Sequence, residues 1–401
     1  VFSFHFGKRL SELLKDDKTK INRFIDYSLE IISQIPQEER NYTVLGGFIV
    51  NSSAEIKKDF YSRLYQSSEF NRQLFYFLSI DKSGKEYFEL LFHLIDNKVY
   101  DVNSFYTFTY SNALAQLSLE ELNSFSEKLF TYSDDGYAVV FDLFADLSYG
   151  DEAKKKALMP ICKKCIVKLG FNRKFKRQLD DYKWTEAISF ILSDEKEVDF
   201  AKFINKSIID SITWENSYHL DHYIQQVYEI LLKVHFNSIW KDLSDALLSN
   251  EELYIKFYGL KHILGSHIGG VGRSIGVLFD GDINSIFNWC KENKPLAPTR
   301  LAELVPIFDN NNTDYAKWHP IALRLIDEYG EIKEVLSHIS SNMGTYSWTG
   351  SVVPLLESKR ELFKQLTNHK TELVREWATS YIGYLDKDIE VEKNRDAEHF
   401  I

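Results

Sequence analysis

The stretch INRFIDYSLEIISQI (21–35) places Ile21, Phe24, Ile25, Leu29 and Ile32 three or four residues apart, and Pro36 stops it. That spacing puts the apolar side chains on one face of an α-helix. The same rhythm returns in AEIKKDFYSRLYQS (54–67), KEYFELLFHLID (85–96) and DEAKKKALMPICKKCIVKLG (151–170), where Pro160 should introduce a kink. SLEELNSFSEKLFTY (118–132) opens with Ser118 and Glu121 in the spacing of a capping box. Further helices are expected at 197–212, 219–236, 238–249, 251–264, 282–292, 299–308, 315–329, 331–343, 354–367 and 371–398. Only 18 glycines and 7 prolines punctuate 401 residues, which favours long helices over many tight turns. Strands are arguable in two places, TVLGGFIV (43–50) and SFYTFTYS (104–111).

These elements imply an all-α chain, an α-solenoid of irregular antiparallel helix pairs of the HEAT or TPR kind. Strand should stay below about 10%. No fixed period of 34 or 40 residues is visible. At 401 residues the chain is long for one core, so two segments are expected, 1–264 and 265–401. The join is GSHIGGVGRSIGVLF (265–279), with five glycines in twelve positions. A phosphate loop is excluded, because His267 stands where its first glycine belongs and Arg273 where its lysine belongs. The dinucleotide fingerprint also fails, since Ile275 occupies its third glycine position. Gly270 and Gly272 are therefore read as parts of a joint, and no cofactor is expected.

Net charge is −11, which argues against a dedicated nucleic-acid or anionic-membrane binder. Three cysteines make no disulfide framework and suit a reducing cytoplasm. No apolar run reaches the ~18–20 residues of a membrane span; YAVVFDLFADL (137–147) comes nearest and carries Asp142 and Asp146. The chain opens on Val1, as a piece of a longer protein would.

Chemistry-bearing motifs are incomplete. CKKC (162–165) has metal or redox spacing but lacks a second ligand pair, so Cys162 and Cys165 read as helix packing. HLDH (219–222) spaces His219 and His222 by three, without the glutamate of a zincin. FNRKFKRQLDDYKW (171–184) sets Arg173, Lys174, Lys176 and Arg177 beside Phe171 and Phe175, a pattern that suits an acidic protein partner or single-stranded nucleic acid. No catalytic, cofactor-binding or metal residue is assigned. With 15% aromatic residues, the candidates are partner contacts. Tyr346 and Trp348 lie in the glycine-bounded turn GTYSWTGS (344–351), and Tyr106 and Phe108 in SFYTFTYSN (104–112).

The final third is the most distinctive: APTRLAELVPIF (297–308), WHPIALRLIDEYG (318–330), EVLSHISSNMGTYSWTGSVVP (334–354) and LFKQLTNHKTELVREWA (362–378). Within it HKTELVREWA (369–378) resembles a HEAT-repeat helix. Val374 and Ala378 would face inward, and Arg375 would link adjacent repeats. The whole region resembles the C-terminal helical-repeat part of large bacterial anti-phage defence proteins. In those proteins a STAND or NACHT-type NTPase, or an effector such as a nuclease or a sirtuin-type NADase, precedes a helical sensor. The resemblance implies a sensor that binds a phage structural or replication protein, with an effector or NTPase domain in the same full-length chain and catalysis outside these residues. A stand-alone scaffold or adaptor is the alternative. A nucleic-acid-processing enzyme around 171–184, with Cys162, His219 or Arg173 taking part, is the third reading.

Overall fold

The computed structural model describes residues 2–14, 17–111, 113–170, 181–213, 222–249, 255–265, 276–309, 317–343 and 350–399. The chain is all-α, with 79% of the described residues helical. It divides into two compact units, Val1–Ala187 and Ile188–Ile401; the boundary expected at 264/265 lies inside the second.

The first unit runs α1 (Phe2–Leu14), α2 (Lys18–Ser33), α3 (Thr43–Val50), α4 (Ala54–Gln66), α5 (Gln73–Ile80), α6 (Phe88–Asp96), α7 (Leu119–Phe130), α8 (Ser133–Ser148), α9 (Glu152–Leu169) and the start of α10 (Asp181–Leu192). Local signals set several starts. The Ser118 side chain accepts from Glu121 N while the Glu121 side chain returns to Ser118 N, completing the expected capping box. Ser53 and Asp151 cap α4 and α9 in the simpler way. α9 continues through Pro160.

Both expected strands are helical instead. TVLGGFIV forms α3, in which Leu45 through Ile49 are all buried. A helix enclosed on every side carries no amphipathic rhythm, so a short apolar run does not reveal its type. Its glycines have a packing reason. A Cβ on Gly47 would stand 2.0 Å from the Phe4 carbonyl oxygen, and one on Gly7 would stand 2.0 Å from that of Val44. Bare backbone is what lets α1 and α3 come so close. The segment Val102–Phe108 is a 3-10 helix begun by Asp101, whose carboxylate accepts from Asn103 N.

Within this unit the helices lie in two rows. One row is tied by side chains: Lys18 to Glu55 at 2.7 Å and Arg63 to Asp26 at 2.8 Å join α2 to α4. Tyr65 and His93 join α4 to α6. Lys128 reaches Asp96 at 3.0 Å and Lys164 reaches Glu127 at 2.8 Å, carrying the row through α7 to α9. The other row packs α1 on α3, α3 on α5, α5 on the 102–108 turn, and that turn on α8. Lys183 then holds Asp142 at 2.9 Å, so α8 meets the first part of α10.

The second unit contains α11 (Val198–Ser211), α12 (His222–Val234), α13 (Phe236–Leu248), α14 (Ile255–Leu264), α15 (Ile283–Glu292), α16 (Leu296–Ala302), α17 (Pro320–Tyr329), α18 (Lys333–Met343), α19 (Val353–Lys364) and α20 (Glu372–His399). Helices α15 with α16, α17 with α18, and α19 with α20 pack as pairs, while α13, α16, α18 and α20 touch in succession. The Asn342 amide donates to Ala302 O at 3.0 Å and the Trp377 indole to Ser340 Oγ at 2.8 Å along that succession. Tyr329 OH donates to Phe287 O at 3.2 Å between α15 and α17. The helix expected at 299–308 stops at Ala302, because Pro306 has no N–H to continue it. Phe308–Asp309 instead pairs antiparallel with Lys317–Trp318, and α17 begins with Pro320 in its first turn behind the His319 cap.

The ties share a feature that the amino-acid pattern hides. Their partners are 37 residues apart between α2 and α4, 37 between α7 and α9, and 41 between α8 and α10. They are 42 apart between α15 and α17, 40 between α16 and α18, and 37 between α18 and α20. The separation falls to 28 between α4 and α6 and to 32 between α6 and α7, so ties 28–42 residues long recur along the chain and no fixed sequence period is visible.

One buried cation yields a pH prediction. Lys359 on α19 is 4% exposed and donates to Met343 O at 3.1 Å. Burial pushes its ammonium down to about 8 from 10.5. Below pH 8 both folded and unfolded chains carry the charge, and the fold bears the full penalty. Between pH 8 and 10.5 the unfolded chain holds more protons than the folded one, so this group's contribution to stability rises with pH. Lys359→Met should therefore stabilise the protein near neutral pH, on the order of 2 kcal/mol after allowing for solvent screening. The gain should shrink towards pH 10 in urea titrations. An unchanging difference across that window would show that the ammonium is not disfavoured.

Candidate partner-binding surface

The 3-10 turn at 102–108 separates two aromatic side chains that the sequence offered together. Phe108 is fully buried, edge-on to Phe88 at 5.3 Å and beside Phe105 at 5.7 Å. It cannot touch a partner while the fold is intact, so its assignment as a contact is corrected to core. In a strand, alternate residues share a face, and Tyr106 and Phe108 would both point outward or both inward. In the turn they diverge, and Tyr106 remains half-exposed.

Tyr106 lines a groove of about 1090 Å³, with Tyr76, Tyr100 and Tyr132 as further aromatic walls and Arg72 and Asp96 among the charged ones. The rings are held by their hydroxyls. Tyr132 OH donates to Asp96 Oδ1 at 2.6 Å, and Tyr100 OH donates to Asn71. Lys128 Nζ reaches the other Asp96 oxygen at 3.0 Å. The Tyr132 bond, with Lys128 adding to it, lowers the Asp96 carboxyl below its ordinary range. Burial first, and then the Asp96 charge, push the Tyr132 phenol up to about 12. At neutral pH the trio is therefore carboxylate, ammonium and neutral phenol. Such a wall offers rigid aromatic area at low conformational cost.

A smaller cavity of about 210 Å³ lies in the same unit. Tyr110, Tyr149 and Tyr182 rim it at 81%, 73% and 52% exposure. Tyr110 stands at φ 60, a left-handed conformation uncommon for a bulky residue. The chain is pinned there because Ser111 Oγ donates to Ser79 O at 2.8 Å. Beneath the rim, Lys183 bridges Asp142 at 2.9 Å and Asp146 at 2.7 Å. Burial alone would lower the Lys183 ammonium, but the two carboxylates outweigh it and its pKa is raised. Asp142 and Asp146 are the acidic residues that interrupt the apolar 137–147 run. Their i, i+4 spacing is legible in the sequence, whereas their shared cation is not.

Arg375 behaves locally. Its guanidinium donates to the carbonyls of His369 at 2.8 Å and Lys370 at 3.0 Å, in the turn before its own helix. The link onward is made by His369. Its Nδ1 accepts from Thr371 N at 3.1 Å, which leaves Nε2 to donate to Asp327 on α17 at 2.9 Å. Arg375 thus fastens the turn that presents His369, instead of joining repeats itself. Val374 and Ala378 are fully buried, as the HEAT-like pattern expects.

Tyr346 and Trp348 lie outside the described residues, as do Gly270, Gly272, His219 and the basic segment 171–180. Cys162 and Cys165 are fully buried on α9. Burial pushes the Cys162 thiol up to about 12, and burial together with Cys162 pushes Cys165 well up, the opposite of what a redox or metal-binding thiolate needs. Among the described residues no cluster of three or more His, Cys, Asp or Glu could hold a metal ion. Nor is any of their helices long and apolar enough to cross a membrane.

No family model, no curated protein and no solved structure matches this chain.

Proposed function

We propose that both units are α-solenoid segments and that the chain is a protein-binding scaffold. We further propose that it forms the target-sensing region of a larger antiviral defence protein and recognises a phage protein. The observation that carries the scaffold reading is the recurrence, in both units, of ties between helices whose partners lie 28–42 residues apart. A repeat whose helices bond mainly to the next repeat builds long, continuous faces, and such faces suit the grip of another folded protein. The tyrosine-lined groove in the first unit supports the same reading, because its polar groups hold aromatic rings in place. On this reading any effector or NTPase chemistry belongs to other domains of the full-length protein. Recognition would act by favouring one assembly of that protein over another.

The test is capture of partners by the tagged chain from phage-infected and uninfected cells, identified by mass spectrometry. A phage-encoded protein is expected, and Tyr106→Ala should reduce its recovery. Recovery of host proteins alone, equal in the two samples, would replace the sensor by an adaptor.

A further inference from the structure

A second groove, of about 420 Å³, lies in the second unit between α13 and α15. Its floor is aromatic. Trp240 stacks on Phe236 with centroids 5.0 Å apart and meets Trp289 edge-on at 5.7 Å. Trp289 is 5% exposed, and its indole N–H has no hydrogen-bond acceptor. A buried donor left unpaired weakens the fold. The walls hold further uncommitted groups. Asn237, one turn from Trp240 on α13, and Asn288, beside Trp289 on α15, are exposed. Glu292 follows one turn later on the same face of α15 and is also exposed. Ser285 and Ser244, by contrast, are occupied by bonds to Asp282 and to Lys241 O. The ionic pair in the groove, Lys241 with Asp245 at 2.8 Å, cancels itself, which leaves Glu292 as the net charge.

We infer that this groove binds an extended peptide segment carrying a basic side chain. The inference rests on the protein-binding reading and names what one of its surfaces takes. A side-chain amide has one acceptor and two donors, so Asn237 and Asn288 can each pair with both the N–H and the C=O of a peptide main chain. The Trp289 N–H, covered in this structure, becomes a donor for a neighbouring carbonyl when the half-buried Trp240 turns on α13 to uncover it. The half-buried Trp240 offers its face to the aliphatic stem and the cation of lysine or arginine, and Glu292 pairs with the charge. A nucleic acid is disfavoured, since its phosphates would face Glu292. A glycan could use the rings and amides but gives Glu292 no cation to pair with.

The test uses the full chain and an array of acetylated, amidated nonapeptides, half with a central lysine and half with a central glutamate. Wild-type protein should prefer the lysine set. Glu292→Lys should reverse that preference, and Asn288→Ala should weaken the best lysine peptide about tenfold with an unchanged melting temperature. In proton–nitrogen spectra that peptide should shift the one indole resonance that Trp289→Phe removes. Binding indifferent to Asn288 and Glu292, no binding by either set, or a shift produced by maltohexaose and not by peptide would each overturn the assignment. If a phage protein is still captured by Asn237→Ala/Asn288→Ala while both peptide sets fail to bind, this groove is excluded and the scaffold reading stands. If peptides bind as expected and no phage protein is captured, the sensor reading fails and the groove assignment stands.

Discussion

Asp81→Ala is expected to cost about 3–5 kcal/mol, because it strands a buried cation. Asp81 is 1% exposed and accepts from Lys57 Nζ at 2.8 Å, from Tyr61 OH at 2.7 Å and from Ser83 N at 3.1 Å. Lys57 is itself 8% exposed, and without the carboxylate only Ser83 Oγ, at 3.0 Å, remains beside it. Burial, with the Asp81 charge next, drives the Tyr61 phenol pKa far above its ordinary value, so the phenol stays a donor. The loss should appear as a lower urea midpoint and a melting temperature reduced on the order of 10 °C. Converting the group to apolar side chains, Lys57→Met with Asp81→Leu and Tyr61→Phe, should recover most of it. A single variant within 1 kcal/mol of wild type would mean that water already reaches this network.

Phe108→Ala should be as damaging, about 3–5 kcal/mol, since it opens a void among Phe88, Phe105 and their neighbours. Tyr106→Ala, two residues earlier, should change stability by about 1 kcal/mol or less and act on partner affinity. Measuring melting temperature and capture of the partner for both variants separates core from surface. If Phe108→Ala melts normally and loses the partner, the ring is a contact after all and the turn geometry is wrong.

The two aromatic positions also show how far the sequence could be read. Amphipathic rhythm located most helices to within a few residues, and Ser118 and Glu121 marked one start by a mechanism that needs no tertiary contact. The rhythm failed in α3, where burial on every side erases it, and at 102–108, where alternation of aromatics mimics a strand. Pro306 breaks the helix expected at 299–308, a local signal that outweighs the apolar spacing around it. The groove was legible only through Tyr106, because Tyr76, Tyr100 and Tyr132 come from separate segments that only the fold brings together. The same holds for Trp240 and Trp289, which meet only because α13 and α15 come together. The step between tied helices was invisible for another reason: it is written in pairs of complementary side chains, Lys with Glu or Tyr with a carbonyl, whose identities change at every turn of the ladder.

That step has a consequence for biosynthesis. A helix whose stabilising partner lies 28–42 residues downstream closes a short loop, and closure entropy for such loops is small. At ribosomal rates of about 5–20 residues per second, each new partner arrives within about 8 s of the helix that awaits it. Every segment can thus settle on its predecessor as it emerges, long before the C-terminal α20 has been made.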